Sequence, residues 1–557
     1  MLLIALILAL APPETAAPLT PPAPATPKAE AAFAARRAER IALLPPAPPV
    51  PSITTPTNNA IDAFIADAWA ADDLREAKSP PPLCDDSTFL RRVYLDLIGV
   101  IPTLAERDRF LSDAAADKRA RLIDELLARK ADYADHWTPF WEDALVSATV
   151  GTTGGMASHG NYTPFIREAF LTNRPFDLFV AELLDPSLPR YRKPEVGSDN
   201  GRPVKVHYVL NERHTDTLQT AAGVAQVFMG TAMKCASCHN HFENEEWPQD
   251  RFTAFAGLFS PKDLEVIRCE KRSGRTVPAA FPFEVLNAPT DIPATEPARL
   301  ARAAQLLTDP LNPRFARTIV NRLWKRYLGT GLFEPADDYR LDWPPSHPAL
   351  LDWLADDLIR HNFDIQRTTR LILTSRTYQT RFNPAVVDHF DIAEPTAARY
   401  FCSPSLRRLT AEQLVDSINV ALTQNLDPAR RLFRKPETTA LSLALAKPAI
   451  RNDESTARSS ETSILEGLEL LNGAEYAAIV KSGPLVTQPL PQPEPPPAPP
   501  TNQELATRIF QAILSRDPTP AELAVLVDFL STCKSRDAAI HDALWALFTS
   551  PEFAYIK

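Results

Sequence analysis

The stretch Phe89-Leu90-Arg91-Arg92-Val93-Tyr94-Leu95-Asp96-Leu97-Ile98-Gly99 sets the structural class of the chain. Leu90, Val93, Tyr94 and Leu97 recur every three or four residues, the spacing of one face of an α-helix. Gly99 stands where a helix end favours a residue free to take a left-handed backbone. Just downstream, Thr103 and Glu106 match the capping box, in which two side chains satisfy N–H groups that have no partner inside the helix. The same spacing returns at Thr410 with Gln413 and at Thr519 with Glu522, the latter with Pro520 at the first helical position. Ile61, Phe64, Ile65, Ala68 and Trp69 make a further helical stripe. Ser346-His347-Pro348 opens a helix whose expected buried face is Leu350, Leu351, Trp353, Leu354 and Leu358. Strand signals are weak. The expected fold is mainly α, two helical domains with proline-rich linkers.

Composition narrows the function classes. At 557 residues there is room for three to four domains of ~150 residues. Lys plus Arg is 59 and Asp plus Glu is 69, a net charge of -10. That balance runs against the basic face of a nucleic-acid binder. Glycine is scarce at 16 residues and proline abundant at 55, which disfavours a glycine-rich nucleotide-binding fold. Neither Gly-x-x-x-x-Gly-Lys nor Gly-x-Gly-x-x-Gly occurs. Six cysteines are too few for a disulfide scaffold, so each needs its own account.

The chain divides by composition. Residues 1–17 hold an apolar run, Leu2 to Ala11, followed by small residues, and read as a secretory signal. Residues 18–57 are dominated by Pro and Ala and are expected to be a linker, with a basic helical fragment around Arg36, Arg37 and Arg40. A first helical domain is expected over 58–260, a linker over 261–297 and a second helical domain over 298–557. A proline-rich loop at 484–501 interrupts the second, joining it to helices at Leu505–Leu514 and Ala521–Leu530. No later stretch is long and apolar enough to span a membrane.

One dense chemical cluster stands out, Cys235-Ala236-Ser237-Cys238-His239-Asn240-His241. Three chemistries fit it. Thiols at Cys235 and Cys238 can add to the vinyl groups of haem c, with His239 as axial ligand. Met156, His159, His207, His214 and His347 are then candidates for the second iron ligand. Alternatively Cys235, Cys238, His239 and His241 can supply ligands to zinc or iron, with Cys269 or His214 as a further donor. The third reading is a local disulfide between Cys235 and Cys238.

Other features read as structure. Gly151-Thr152-Thr153-Gly154-Gly155 lacks the Lys-Ser/Thr of a phosphate loop and is expected to be a flexible loop. His136, Trp137 and Trp141 are expected in the core, with Glu142 and Asp143 beside them. Arg376, in Thr374-Ser375-Arg376-Thr377-Tyr378, is expected to cap a helix or pair with a carboxylate. Cys84, Cys402 and Cys533 are expected as buried free thiols.

Several motifs resemble a known family. Phe89 to Gly99 with Pro102-Thr103, Asn173-Arg174-Pro175-Phe176-Asp177 and the Cys235–His241 cluster are similar to the first domain of a planctomycete surface-protein family. That family is built from two successive domains of unknown function (DUF fifteen-forty-nine followed by DUF fifteen-fifty-three), the first labelled cytochrome-c-like. The second resembles Asn321-Arg322-Leu323-Trp324, Pro345-Ser346-His347-Pro348 with Leu351-Asp352-Trp353-Leu354, Thr374 to Tyr378, Arg408-Leu409-Thr410-Ala411-Glu412-Gln413-Leu414 and Ser550-Pro551-Glu552-Phe553. The resemblance implies an exported protein, periplasmic or on the cell surface, with no assigned activity. Many members carry an extra N-terminal cytochrome domain, where this sequence shows only its proline-rich leader.

Two functional expectations follow. One is a c-type haem protein with a redox or electron-transfer role. The other is a binding or scaffold protein held by a structural Cys/His metal site, with a metal-dependent hydrolase of surface polymers as a third possibility. The expected partner is another protein or a surface polymer, not nucleic acid.

Overall fold

The computed structural model describes residues 27–145, 162–188, 217–268, 271–384, 399–434, 439–447, 458, 463–481 and 500–557. Helices dominate them, joined by two small antiparallel two-stranded sheets. The protein is mainly α.

Local chemistry starts the helices where the side chains call for it. The helix Asp86–Leu97 is opened by the Asp85 carboxylate on the Thr88 N–H, and the chain leaves it through Gly99 at φ +75. Thr103, Thr410 and Thr519 each form a complete capping box. Thr501 with Glu504 forms another at the start of Asn502–Leu514. In Pro348–Arg360, Leu350, Leu351, Leu354 and Leu358 are buried, while Trp353 is half-buried and packs on Phe64 with ring centroids 5.7 Å apart.

Two expectations about linkers need correction. Within 18–57, the helical fragment expected around Arg36, Arg37 and Arg40 is present but runs over Pro27–Ile41 and is docked, not a free linker. Alanine has the highest helix propensity of any residue, which offsets the flanking prolines. Phe33 is buried, Arg37 pairs with Asp177 at 2.9 Å, and Arg40 pairs with Asp309 at 2.8 Å. Within 261–297, Leu264–Arg268 and Lys271–Val277 pair as an antiparallel hairpin. Its second strand is exposed and polar, so it lacks the apolar alternation that reveals a half-buried strand.

The two expected domains share one apolar core, running from Ile61 to Ile556. Polar contacts stitch them further. Asp62, at the start of helix Ala60–Ala71, accepts the backbone N–H groups of Arg376 and Thr377 at 3.0 and 2.9 Å. Arg376 therefore meets a carboxylate through its backbone, while its guanidinium reaches the Pro81 carbonyl. Arg91 donates to the carbonyls of Ile513 and Phe553, both at 2.9 Å. Arg407–Arg408 pairs as a short strand with Tyr555–Ile556, bringing the C-terminus back against the middle of the chain. Among the described residues no helix is long and apolar enough to cross a membrane.

Candidate functional site

Where the two segments meet, a cavity of about 220 Å³ is walled by ionisable side chains. Helix Asp86–Leu97 contributes Asp96 and the turn after it Gly99; helix Lys130–Leu145 contributes Asp135, His136 and Asp143. Helix Phe315–Leu328 supplies Arg322, Lys325 and Arg326, and helix Ala411–Thr423 supplies Glu412, Gln413 and Asp416. Arg407, Arg408, Arg431 and Arg458 complete the ionic wall, and Pro139, Phe140, Ala336, Phe433 and Ile556 the apolar one. The side chain of Asp135 is 1% exposed and that of Lys325 is 37% exposed, so the cavity runs from solvent into the core.

Most of these charges are paired. Arg407 forks onto Asp96 at 2.5 and 2.9 Å, and the Tyr378 hydroxyl donates to the same carboxylate at 2.7 Å. Arg431 meets Asp416 at 3.0 Å, Arg408 meets Glu466, and Lys325 meets Glu334 at 2.6 Å. Asp135 is held by Arg167 and Arg434 at 2.6 and 3.2 Å. Arg458 bridges Asp143 and Glu412 at 2.5 and 2.6 Å. Burial alone would raise the Glu412 pKa, but Arg458 overrides it and holds it at about 2. Glu142, next to this trio, has its pKa raised by burial to about 7. Arg322 donates to the carbonyls of Val227 and Gln226.

His136 and Arg326 are arranged differently. Arg326 Nη2 lies 2.7 Å from His136 Nε2. A guanidinium has no acceptor, so Nε2 is the unprotonated nitrogen and the ring is neutral with its proton on Nδ1. Burial, then the charges of Arg326 and Arg431, hold the His136 pKa well below its ordinary value, while a hydrogen bond to the Asp96 backbone opposes them. The ring lies hard against Gly99, where a Cβ would fall 2.3 Å from Nδ1. Trp137 and Trp141 are buried in the aromatic core, as their spacing suggests. His136 instead lines the cavity.

The Cys235–His241 segment lies outside this wall. Cys235 is carried by a 3₁₀ turn, Lys234–Ser237, and Cys238 follows it; both thiols are exposed and free. His239 Nδ1 is 2.6 Å from the Asn240 carbonyl, which can only accept, so Nδ1 carries the proton and Nε2 stays open. The Phe242 ring, 81% exposed, covers the imidazole at 4.0 Å between centroids. His241 is engaged on both sides. Its Nε2–H donates to the Ala232 carbonyl at 3.1 Å, and its Nδ1 accepts the N–H groups of Glu243 and Asn244 at 3.2 and 3.1 Å.

Donor chemistry suits haem at Cys235, Cys238 and His239, because a metal-bound imidazole characteristically donates its other N–H to a carbonyl. It suits a site including His241 less well, since ligation would strip backbone bonds from its own loop. Among the described residues no group of three or more His, Cys, Asp or Glu side chains is arranged to hold a metal ion. His347 is buried between Tyr400 and Phe401, and burial lowers its pKa to about 4. Met156, His159, His207, His214, Cys269 and the Gly151–Gly155 cluster lie outside the described residues, as do 1–17 and most of the 484–501 loop. Cys84 and Cys402 are buried, burial pushing the Cys402 thiol up to about 12, whereas Cys533 is partly exposed.

Fold and site together define a mainly α protein whose two successive segments close on one charged cavity, with an exposed Cys-x-x-Cys-His turn on the first. Residues 60–263 match the family PSCyt2, described as a protein of unknown function (DUF1549). Residues 299–440 match PSD1, described as a protein of unknown function (DUF1553). The chain belongs to the family built from these two successive domains. No curated protein and no solved structure matches it.

The cavity was legible only in part. Asp96, Gly99, Arg322, Arg408, Thr410, Glu412 and Gln413 all fall inside motifs that mark the family resemblance, yet no sequence spacing groups them. For Asp96 the signal is a charge inside an apolar stretch. Asp96 sits between Leu95 and Leu97, where a packing helix face gives no reason for a carboxylate.

Proposed function

We propose that the protein is an exported c-type haem protein with a redox role, attaching haem through Cys235 and Cys238 with His239 as an iron ligand. The observation that carries this reading is the His239 imidazole, whose Nδ1–H is engaged by the Asn240 carbonyl while Nε2 remains open beside two exposed thiols. Thioether formation needs reachable thiols, and a structural disulfide or buried thiol would not supply them. A haem bound there supplies one-electron chemistry tuned by its axial ligand and surroundings. This chain's own residues present the thiols, fix the imidazole tautomer and place Phe242 over the imidazole.

The test is a visible spectrum of the denatured protein, oxidised and then reduced, from a host with cytochrome c maturation. A sharp reduced α-band that disappears in Cys235→Ser is the expected result. A flat spectrum with unmodified thiols by mass spectrometry would overturn the reading.

A further inference from the structure

We propose that the inter-segment cavity is a binding site for an organic carboxylate, with Arg326 as the residue that receives its charge. The inference concerns a different part of the molecule from the haem reading and stands or falls without it.

Arg326 differs from the other cations on the wall. Its Nη2 donates to a neutral imidazole, its Nε is buried without a partner, and no carboxylate pairs with it among the described residues. Its remaining neighbours are ring faces, Trp137 and Phe140, at 4.6 and 4.8 Å from the guanidinium carbon. Asp96, whose charge acts on it, already holds Arg407 and the Tyr378 hydroxyl. A partly buried cation with no counter-charge is costly, and an anion in the cavity would remove that cost. Burial depresses the Arg326 pKa, yet guanidinium remains charged at neutral pH.

The wall also limits the ligand. The ligand that fits is singly charged, because Asp96, Asp143 and Glu412 line the same space and repel a multiply charged anion. A guanidinium fork matches a carboxylate in geometry as well as charge. Phe140, Phe433 and Ile556 offer an apolar surface to the rest of the molecule. A cavity of about 220 Å³ suits a small organic body and not a polymer chain.

The experiment is calorimetric titration of the full chain with benzoate at fixed ionic strength. Benzamide, its neutral isostere, and inorganic sulfate are titrated in parallel. Benzoate is expected to bind one per chain, at least about tenfold tighter than either control. Arg326→Met is expected to abolish benzoate binding in a chain that still folds, with at most a modest drop in melting temperature, because the loss of an uncompensated charge offsets the stranding of the His136 acceptor. If that variant melts early, Arg326→Lys keeps the charge and loses the fork, and should still favour benzoate over benzamide but more weakly. No binding by ~10 mM benzoate, equal binding of benzamide or sulfate, or benzoate binding retained in folded Arg326→Met would each overturn the proposal.

Discussion

Asp96 of the first segment and Arg407 of the second form a two-pronged ion pair, with oxygen–nitrogen distances of 2.5 and 2.9 Å, at the cavity wall. Asp96 is 2% exposed and Arg407 14%, so water screens the pair weakly. Removing one partner leaves a desolvated charge, at a cost of about 3–5 kcal/mol for such a pair. Asp96→Ala should therefore lower the urea midpoint strongly. Because the core is shared, the loss should appear as one shifted transition and not as the separate melting of one segment. A biphasic curve with only one phase moved would contradict the single core.

Gly99 is fixed twice over. Its φ of +75 is left-handed, and a Cβ would come within 2.3 Å of His136 Nδ1. Left-handed backbone costs a non-glycine residue about 1–2 kcal/mol, and the clash must add to it. Gly99→Ala should destabilise by more than the backbone cost alone, whereas Gly274→Ala, also left-handed but with open space around it, should lose only that cost. Comparing their thermal midpoints separates the two effects.

Stability should depend on pH through buried groups of opposite sign. Burial lowers the His347 pKa from 6.5 to about 4, so its contribution is complete above pH ~6.5 and is lost as pH falls through about 4. The shift corresponds to about 3 kcal/mol, and His136 acts in the same direction. Glu142 is the reverse. Burial raises its pKa from 4.5 to about 7, so its contribution is present in acid and lost as pH rises through about 7. Urea midpoints across this range should show His347→Leu flattening the acid limb and Glu142→Gln flattening the neutral one.

His241 offers a discriminating substitution. Three backbone groups depend on its two ring nitrogens. His241→Ala should weaken the loop by about 1–3 kcal/mol, the usual cost of stranding partly buried polar groups. The same loss should occur with and without chelator. A large chelator effect in the parent that vanishes in this variant would instead make His241 a metal ligand.

Thiol reactivity should follow exposure. Native chain made without haem maturation should alkylate quickly at Cys235 and Cys238 and slowly at Cys84 and Cys402, as mapped by mass spectrometry. Cys235→Ser should leave the melting temperature unchanged, because the thiol is exposed and free.

The amino-acid order determined what depends on near neighbours. Helical stripes, the capping boxes at Thr103, Thr410 and Thr519, and the turn at Gly99 act over three or four residues, so they are readable in sequence and present in the fold. Cys235, Cys238 and His239 are neighbours for the same reason, so the Cys-x-x-Cys-His turn is readable in the chain itself. The docking of the helix Pro27–Ile41 escaped, although its basic fragment around Arg36, Arg37 and Arg40 did not, because its anchors, Asp177 and Asp309, lie more than a hundred residues away. Tertiary structure alone decided the cavity. Asp96, His136, Arg326 and Arg407 have no common spacing, and only the packing of distant helices on one core brings them together. It also decided their states: burial and the facing Arg326 keep His136 neutral, and among the described residues no carboxylate pairs with Arg326, since Asp96 is held by Arg407. Those are consequences of burial and contact, which local sequence cannot encode.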